Sequence, residues 1–115
     1  MKAKVRNLMF AAATVASLTV TASAAEGWAT SYVKFVYPLA SGDFIVGLVD
    51  SPSTCTNANN PKYLLVGRGE NSVTADGVKG MLATSLSAFL SGKGLTVVFD
   101  DSTSSCSINR MQIAD

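Results

Sequence analysis

The side chains in this sequence that could carry out chemistry are carboxylates, serines and two cysteines, because its 115 residues include no histidine. Without histidine there is no triad-type general base for a serine or cysteine nucleophile, and no imidazole ligand for a metal. The run Asp100–Thr103 offers oxygen ligands, but it lacks the spacing and the internal glycine of a calcium loop. Paired carboxylates of the glycosidase type need a deep cleft, which a chain this short rarely encloses. We therefore predict no enzyme activity, no catalytic residue, no metal site and no cofactor.

Three aromatic residues, Trp28, Tyr32 and Tyr63, are candidates for contact with a ligand. An aromatic ring on an exposed sheet face can stack against a base or a sugar ring. The alternative is that these rings pack within a small hydrophobic core. The residue types alone leave both interpretations open.

The N-terminus has the pattern of a secretory signal peptide. Lys2, Lys4 and Arg6 precede the apolar run Leu8–Val20, and an A-x-A cleavage pattern ends at Ala24. The alternative, a membrane anchor, needs roughly 20 apolar residues, and this run is shorter. We predict a signal peptide over residues 1–24 and a mature domain over residues 25–115, in which no run is long enough to span a membrane.

The charge of the predicted mature chain argues against a nucleic-acid ligand. The whole sequence has a formal charge of +1, but three of its nine basic residues lie in the signal peptide, which leaves six basic and eight acidic residues. A weakly acidic surface does not attract phosphate backbones or anionic membranes. A sugar, a peptide or a protein fits this charge better.

Both cysteines, Cys55 and Cys106, belong to the predicted mature chain. In an exported protein an even number of cysteines indicates a disulfide, and two cysteines allow one internal pairing. Two free thiols or an intermolecular bridge are the alternatives.

Five strands and one helix are predicted in the mature chain. The helix over residues 74–91 has Thr74 as its N-cap and Gly92 just beyond its end. Its apolar stripe at helical spacing consists of Val78, Met81, Leu82, Leu86, Phe89 and Leu90. The strands are predicted by β-branched and aromatic runs over residues 32–37, 44–49, 63–66, 95–99 and 108–113.

The element order β-β-β-α-β-β predicts a β-rich α+β fold with one helix and one disulfide. Five strands with the helix between the third and the fourth is the order of a small oligonucleotide/oligosaccharide-binding (OB) barrel. The alternatives are an open sheet with the helix on one face, or a sandwich, and the strand count does not distinguish them from a barrel. We predict an OB-like domain over residues 25–115.

Several segments of the mature chain carry a resemblance to known proteins. They are Trp28, Gly42–Val46, Cys55, Pro61–Leu65, Gly77–Leu82, Ser91–Lys93 before a valine-rich strand, and Cys106. On these segments the chain resembles a family of short exported proteins of unknown function from Gram-negative bacteria. More distantly, it is similar to the receptor-binding B subunits of subtilase-type and pertussis-like toxins. That similarity implies an OB-fold subunit that forms pentamers and binds host glycans, and it carries over no binding residue.

These observations predict an exported, non-enzymatic binding module located in the periplasm or outside the cell. Its expected partner is a glycan or a protein, and the toxin-like version is a homo-oligomer, specifically a pentamer. The alternative is a stand-alone, monomeric periplasmic protein with a structural or inhibitor-like role and no affinity for carbohydrate.

Overall fold

The polypeptide backbone follows the predicted order of five strands and one helix. A computed structural model describes residues 25–115, and the predicted signal peptide lies outside the described residues. The elements are β1 (Glu26–Pro38), β2 (Phe44–Leu48), β3 (Leu64–Val66), α1 (Ala75–Ser91), β4 (Gly94–Asp100) and β5 (Ile108–Ala114). The prediction of a small α+β domain with one helix is confirmed.

The strands form one antiparallel sheet in the order β3-β2-β1-β4-β5. The long strand β1 lies at its centre: residues 26–32 pair with β4, and residues from Val33 to Pro38 pair with β2. The register shifts between Val33 and Phe35, so the two halves of β1 belong to differently paired parts of the sheet. The edge strands β3 and β5 approach each other, and the Leu65 N–H donates to the Ser105 carbonyl oxygen at 3.3 Å.

The first strand is much longer than predicted, because it begins at Glu26 instead of residue 32. In this extra segment the inward positions carry small residues, Gly27 and Ser31, and both are buried. The large side chains of the segment point outward. Strands are recognised from sequence by apolar residues at every second position, which face the core. This segment has small residues at those positions, so the sequence pattern does not reveal it as a strand.

The core lies between the inner face of the sheet and α1. Phe44, Val46 and Leu48 of β2 are fully buried and share one face of that strand. The fully buried side chains from β3, β4 and β5 complete it: Leu64, Val66, Leu95, Val97, Phe99 and Ile108.

Both predicted ends of the helix are confirmed. The Thr74 side chain accepts a hydrogen bond from the Gly77 N–H at 3.0 Å, which satisfies one of the free donors at the helix N-terminus. Gly92 ends the helix in the left-handed conformation (φ 71°), and its N–H donates to the Ala88 carbonyl oxygen.

The predicted buried face of the helix is only partly correct. Val78 is buried, and Met81 and Leu82 pack partly buried against the core, but the inward face also includes two small buried residues, Ser85 and Ala88. Leu86, Phe89 and Leu90 are exposed, Leu90 by 80%. The small residues let the helix approach the sheet closely, and the Ser85 hydroxyl lies 3.2 Å from the Met111 sulfur. The predicted stripe contains only large apolar residues, so it leaves out a buried small residue such as Ser85.

A disulfide joins the two long loops at one end of the sheet. Cys55, between β2 and β3, is bonded to Cys106, between β4 and β5, and both are fully buried. The internal pairing is therefore confirmed, and the described chain contains no free cysteine.

The Asn57 amide holds the same two loops together beside the disulfide. Its Nδ2 donates to the carbonyl oxygens of Tyr63 (2.8 Å) and Ser104 (3.1 Å). Its Oδ1 accepts from the backbone N–H groups of Asn59 and Tyr63, both at 3.2 Å. One amide therefore supplies donors and acceptors to backbone groups that have no strand partner.

Replacing Asn57 by aspartate should lower the free energy of unfolding by about 2 kcal/mol, because a carboxylate cannot donate to the two carbonyl oxygens and leaves them unpaired. Urea unfolding of the Asn57→Asp variant measures the loss. Asn59→Asp is the control, since Asn59 contributes only its backbone N–H to this network. Equal stabilities of the two variants would contradict the prediction.

Candidate functional site

The structure brings two of the three candidate aromatic residues onto one surface. Trp28 and Tyr32 lie on the outer face of β1, and they are 63% and 59% exposed. Tyr63 lies elsewhere, just before β3, where it is half-buried. In the first half of β1 the small residues Gly27 and Ser31 occupy the inward positions. The alternating positions, which carry Trp28 and Tyr32, therefore face solvent.

Tyr63 belongs to a separate aromatic cluster on the other half of the sheet. Its ring packs edge to face against Phe35 (centroids 5.8 Å apart) and Tyr37 (6.1 Å). Gly47 of the neighbouring strand leaves room for the Phe35 ring, because a Cβ at that position would overlap it. Tyr63 therefore contacts both of the other rings, at the surface of the sheet and outside the buried core.

The surface around Trp28 is built from three strands in regular register. Trp28 of β1 pairs with Val98 of β4, and Val98 pairs with Arg110 of β5. Further along, Thr30 pairs with Thr96 and Thr96 with Gln112, and beyond them Tyr32 pairs with Gly94 and Gly94 with Ala114. We call this outer surface the tryptophan face: Trp28, Thr30, Tyr32, Thr96, Val98, Arg110 and Gln112.

Arg110 contacts the Trp28 ring and forms an ion pair with Glu26. Its guanidinium lies over the indole, 5.4 Å from the ring centroid. Its Nη1 donates to Glu26 Oε2 and to Asn109 Oδ1, each at 3.2 Å. The ring is therefore contacted by a side chain from β5, across β4, and the charge near it is balanced by a carboxylate.

A shallow cavity of about 100 Å³ lies beside the indole. Trp28, Thr96, Arg110 and Gln112 line it, and the Thr96 hydroxyl shares a 2.8 Å hydrogen bond with that of Thr30. An aromatic ring next to hydroxyl and amide groups can bind a ligand that has an apolar face and hydroxyl groups at its rim. Its lining contains no nucleophile and no general base.

Sequence reasoning missed the partners of Trp28 on this face, namely Thr30, Thr96, Arg110 and Gln112. Arg110 and Gln112 alternate with apolar residues in β5, which places them on one face of that strand. Which side chains of β1 and β4 lie beside them depends on strand order and register, and the chain alone carries no local signal for either.

The acidic run at Asp100 serves a local turn. The hydroxyl and the N–H of Ser102 donate to Asp100 Oδ1 at 2.6 and 2.9 Å, and they hold the pKa of that carboxyl below its usual value. Over residues 25–115, no three acidic, cysteine or histidine side chains lie close enough together to hold a metal ion.

A second cavity, about 130 Å³ in volume, lies where the β1–β2 turn meets the start of α1. Asp43, Arg68 and Lys79 contribute its charged groups. Asp43 Oδ1 already accepts a hydrogen bond from the Arg68 N–H at 3.0 Å, so its carboxylate connects the turn to the segment after β3. The tryptophan face is the better candidate, because it combines exposed aromatic rings with polar groups.

Comparison of the chain with protein-family models, curated proteins and solved structures finds no match. Within residues 25–115, no helix is long and apolar enough to cross a membrane. Any functional assignment therefore depends on the geometry of the described residues and on the sequence pattern.

Proposed function

We propose that the protein is an exported, non-enzymatic binding module of the OB type that recognises a glycan through its tryptophan face. The proposed barrel is supported by three features: the strand order β3-β2-β1-β4-β5, the approach of β3 to β5, and the position of α1 between β3 and β4. Small barrels of this kind bind oligonucleotides and oligosaccharides on the face of their second and third strands and on the adjoining loops. The tryptophan face, on β1, β4 and β5, is a different surface, so the proposal for it depends on its own residues.

Export is supported by two independent features. The pattern of residues 1–24 is that of a signal peptide. The Cys55–Cys106 disulfide is a bond that persists in oxidising compartments such as the bacterial periplasm or the extracellular medium.

The observation that carries the glycan proposal is the exposed Trp28 ring beside the cavity formed with Thr96 and Gln112. A sugar has an apolar ring face that can stack on an indole, and hydroxyl groups that can bond to threonine and glutamine side chains. A nucleic acid would need a basic surface, whereas residues 25–115 carry six basic and eight acidic side chains.

A protein partner is the second candidate, and the exposed apolar side chains of α1 favour it. Leu86, Phe89 and Leu90 give one helix surface the composition of an interface. In the toxin-like version this partner is another copy of the chain, in a pentamer. The solution mass of the exported protein, measured by light scattering, separates a pentamer from the stand-alone monomer of the alternative reading.

Replacing Trp28 by alanine should weaken glycan binding at least tenfold, because the variant loses the stacking surface next to the cavity. A glycan array probed with the exported, oxidised protein identifies the ligand, and calorimetry then compares the two proteins. Tyr37→Ala is the matched control, since Tyr37 is an exposed aromatic on the other half of β1. Undiminished binding by Trp28→Ala, or an array without any bound glycan, would contradict the proposal.

A further inference from the structure

We infer that the tryptophan face binds an extended, uncharged oligosaccharide across two aromatic platforms, Trp28 and Tyr32, and not a single sugar residue in a pocket. This inference rests on the proposed function and specifies the class of ligand. Five features of the described residues carry it: the spacing of the rings, the polar row between them, the surface beside Tyr32, the balanced charge, and the small volume of the cavity.

The two rings lie on the same side of one strand, four residues apart. Residues 26–32 pair with β4 without a register shift, so this part of β1 is regularly extended. At about 3.3 Å per residue, the two ring-bearing positions are about 13 Å apart. That distance exceeds the width of one sugar ring, so a ligand that contacts both platforms must be a chain of sugars.

A row of polar side chains crosses the face between the two platforms. It consists of Thr30, Thr96 and Gln112, which are paired across three adjacent strands. The two threonine hydroxyls use only part of their capacity in their mutual hydrogen bond, and each retains a lone pair to accept a further bond. The Gln112 amide offers both donors and an acceptor, so this row matches the hydroxyl groups of a neutral sugar.

The surface beside Tyr32 is open. In the register, its neighbours across the sheet are Gly94 and Ala114, which carry no large side chain. No large side chain therefore lies directly opposite Tyr32 on β4 or β5. A ligand that starts at the Trp28 cavity can continue along β1 toward Tyr32.

The charge of the face fits an uncharged ligand. Among the residues that define the face only Arg110 is charged, and it is paired with Glu26 at the start of β1 and lies over the Trp28 ring. A ligand carboxylate would have to compete with Glu26 for the same guanidinium. The cavity itself, at about 100 Å³, is smaller than the roughly 300 Å³ at which ligand pockets begin, so it can hold only part of a ligand.

Calorimetry with neutral oligosaccharides of increasing length tests the inference. The probes are the gluco-, xylo- and N-acetylglucosamine-based series from one to six residues, together with matched uronic-acid oligomers. Affinity should rise at least tenfold between the single sugar and the trisaccharide in the series that binds, and then level off. Tyr32→Ala should remove most of this gain, while Tyr32→Phe should retain it because the ring remains.

The outcomes separate the inference from the function on which it rests. If Trp28→Ala abolishes binding but Tyr32→Ala leaves the trisaccharide affinity unchanged, one platform suffices and the inference is wrong, whereas the glycan proposal survives. Preference for the uronic-acid oligomers would likewise overturn only the inference. If neither these probes nor an array yields a bound glycan, the proposed function fails as well. Circular dichroism verifies that each variant is folded.

Discussion

Replacing Cys55 and Cys106 together by alanine should lower the free energy of unfolding by about 4 kcal/mol. The bond closes a loop with a sequence separation of 51 residues, so its loss frees a long segment of the unfolded chain. It also connects two loops that the Asn57 amide joins through its hydrogen bond to the Ser104 carbonyl oxygen. Because small domains have a total stability on the order of 5–15 kcal/mol, this loss is a large fraction of the whole.

Urea unfolding followed by circular dichroism measures this effect. The wild-type protein unfolded in the presence of a strong reductant is the matched comparison, and it should lose a similar amount of stability without any substitution. If oxidised and reduced wild type unfold at the same urea concentration, the expected role of the disulfide is wrong.

Replacing Gly27 by valine should lower the free energy of unfolding by about 3 kcal/mol, at the upper end of the usual cost of overpacking. Gly27 is buried on the inward side of β1 and pairs with Phe99 of β4. A Cβ at this position would lie 2.5 Å from the Phe99 Cζ atom. Phe99 is fully buried, so its ring cannot turn out into solvent to make room.

A double-variant cycle provides the control for this prediction. Phe99→Leu alone should destabilise the protein, but in combination with Gly27→Val it should cost less than the sum of the two single changes, because the smaller side chain relieves the overlap. Gly80→Ala is the control for adding a methyl group, since nothing lies within 4 Å of a Cβ there. Gly27→Val with wild-type stability would contradict the assigned contact.

Features that depend on local chemistry could be predicted from the sequence. Thr74 and Gly92 mark the ends of α1 because capping needs a side-chain acceptor at one end and a left-handed residue at the other. The buried alternation of Phe44, Val46 and Leu48 follows from the geometry of a single strand.

Features that depend on contacts between distant elements could not be predicted in the same way. Gly27 and Ser85 are buried because of what they face, Phe99 in one case and Met111 in the other. The same limit applies to the tryptophan face. The residue type of Trp28 makes it a candidate, but its combination with Arg110 and Gln112 requires the register of three strands.

The central position of β1 has a consequence for how quickly the chain can fold. The first strand in the described sequence cannot complete its pairing until β4 is present, since Glu26 is opposite Asp100. Pairings between residues so far apart in the chain give a high contact order, and proteins of this kind fold in milliseconds to seconds. In the proposed exported protein, the segment carrying Trp28 and Tyr32 would therefore remain open to proteases outside the cytoplasm until β4 has been translocated.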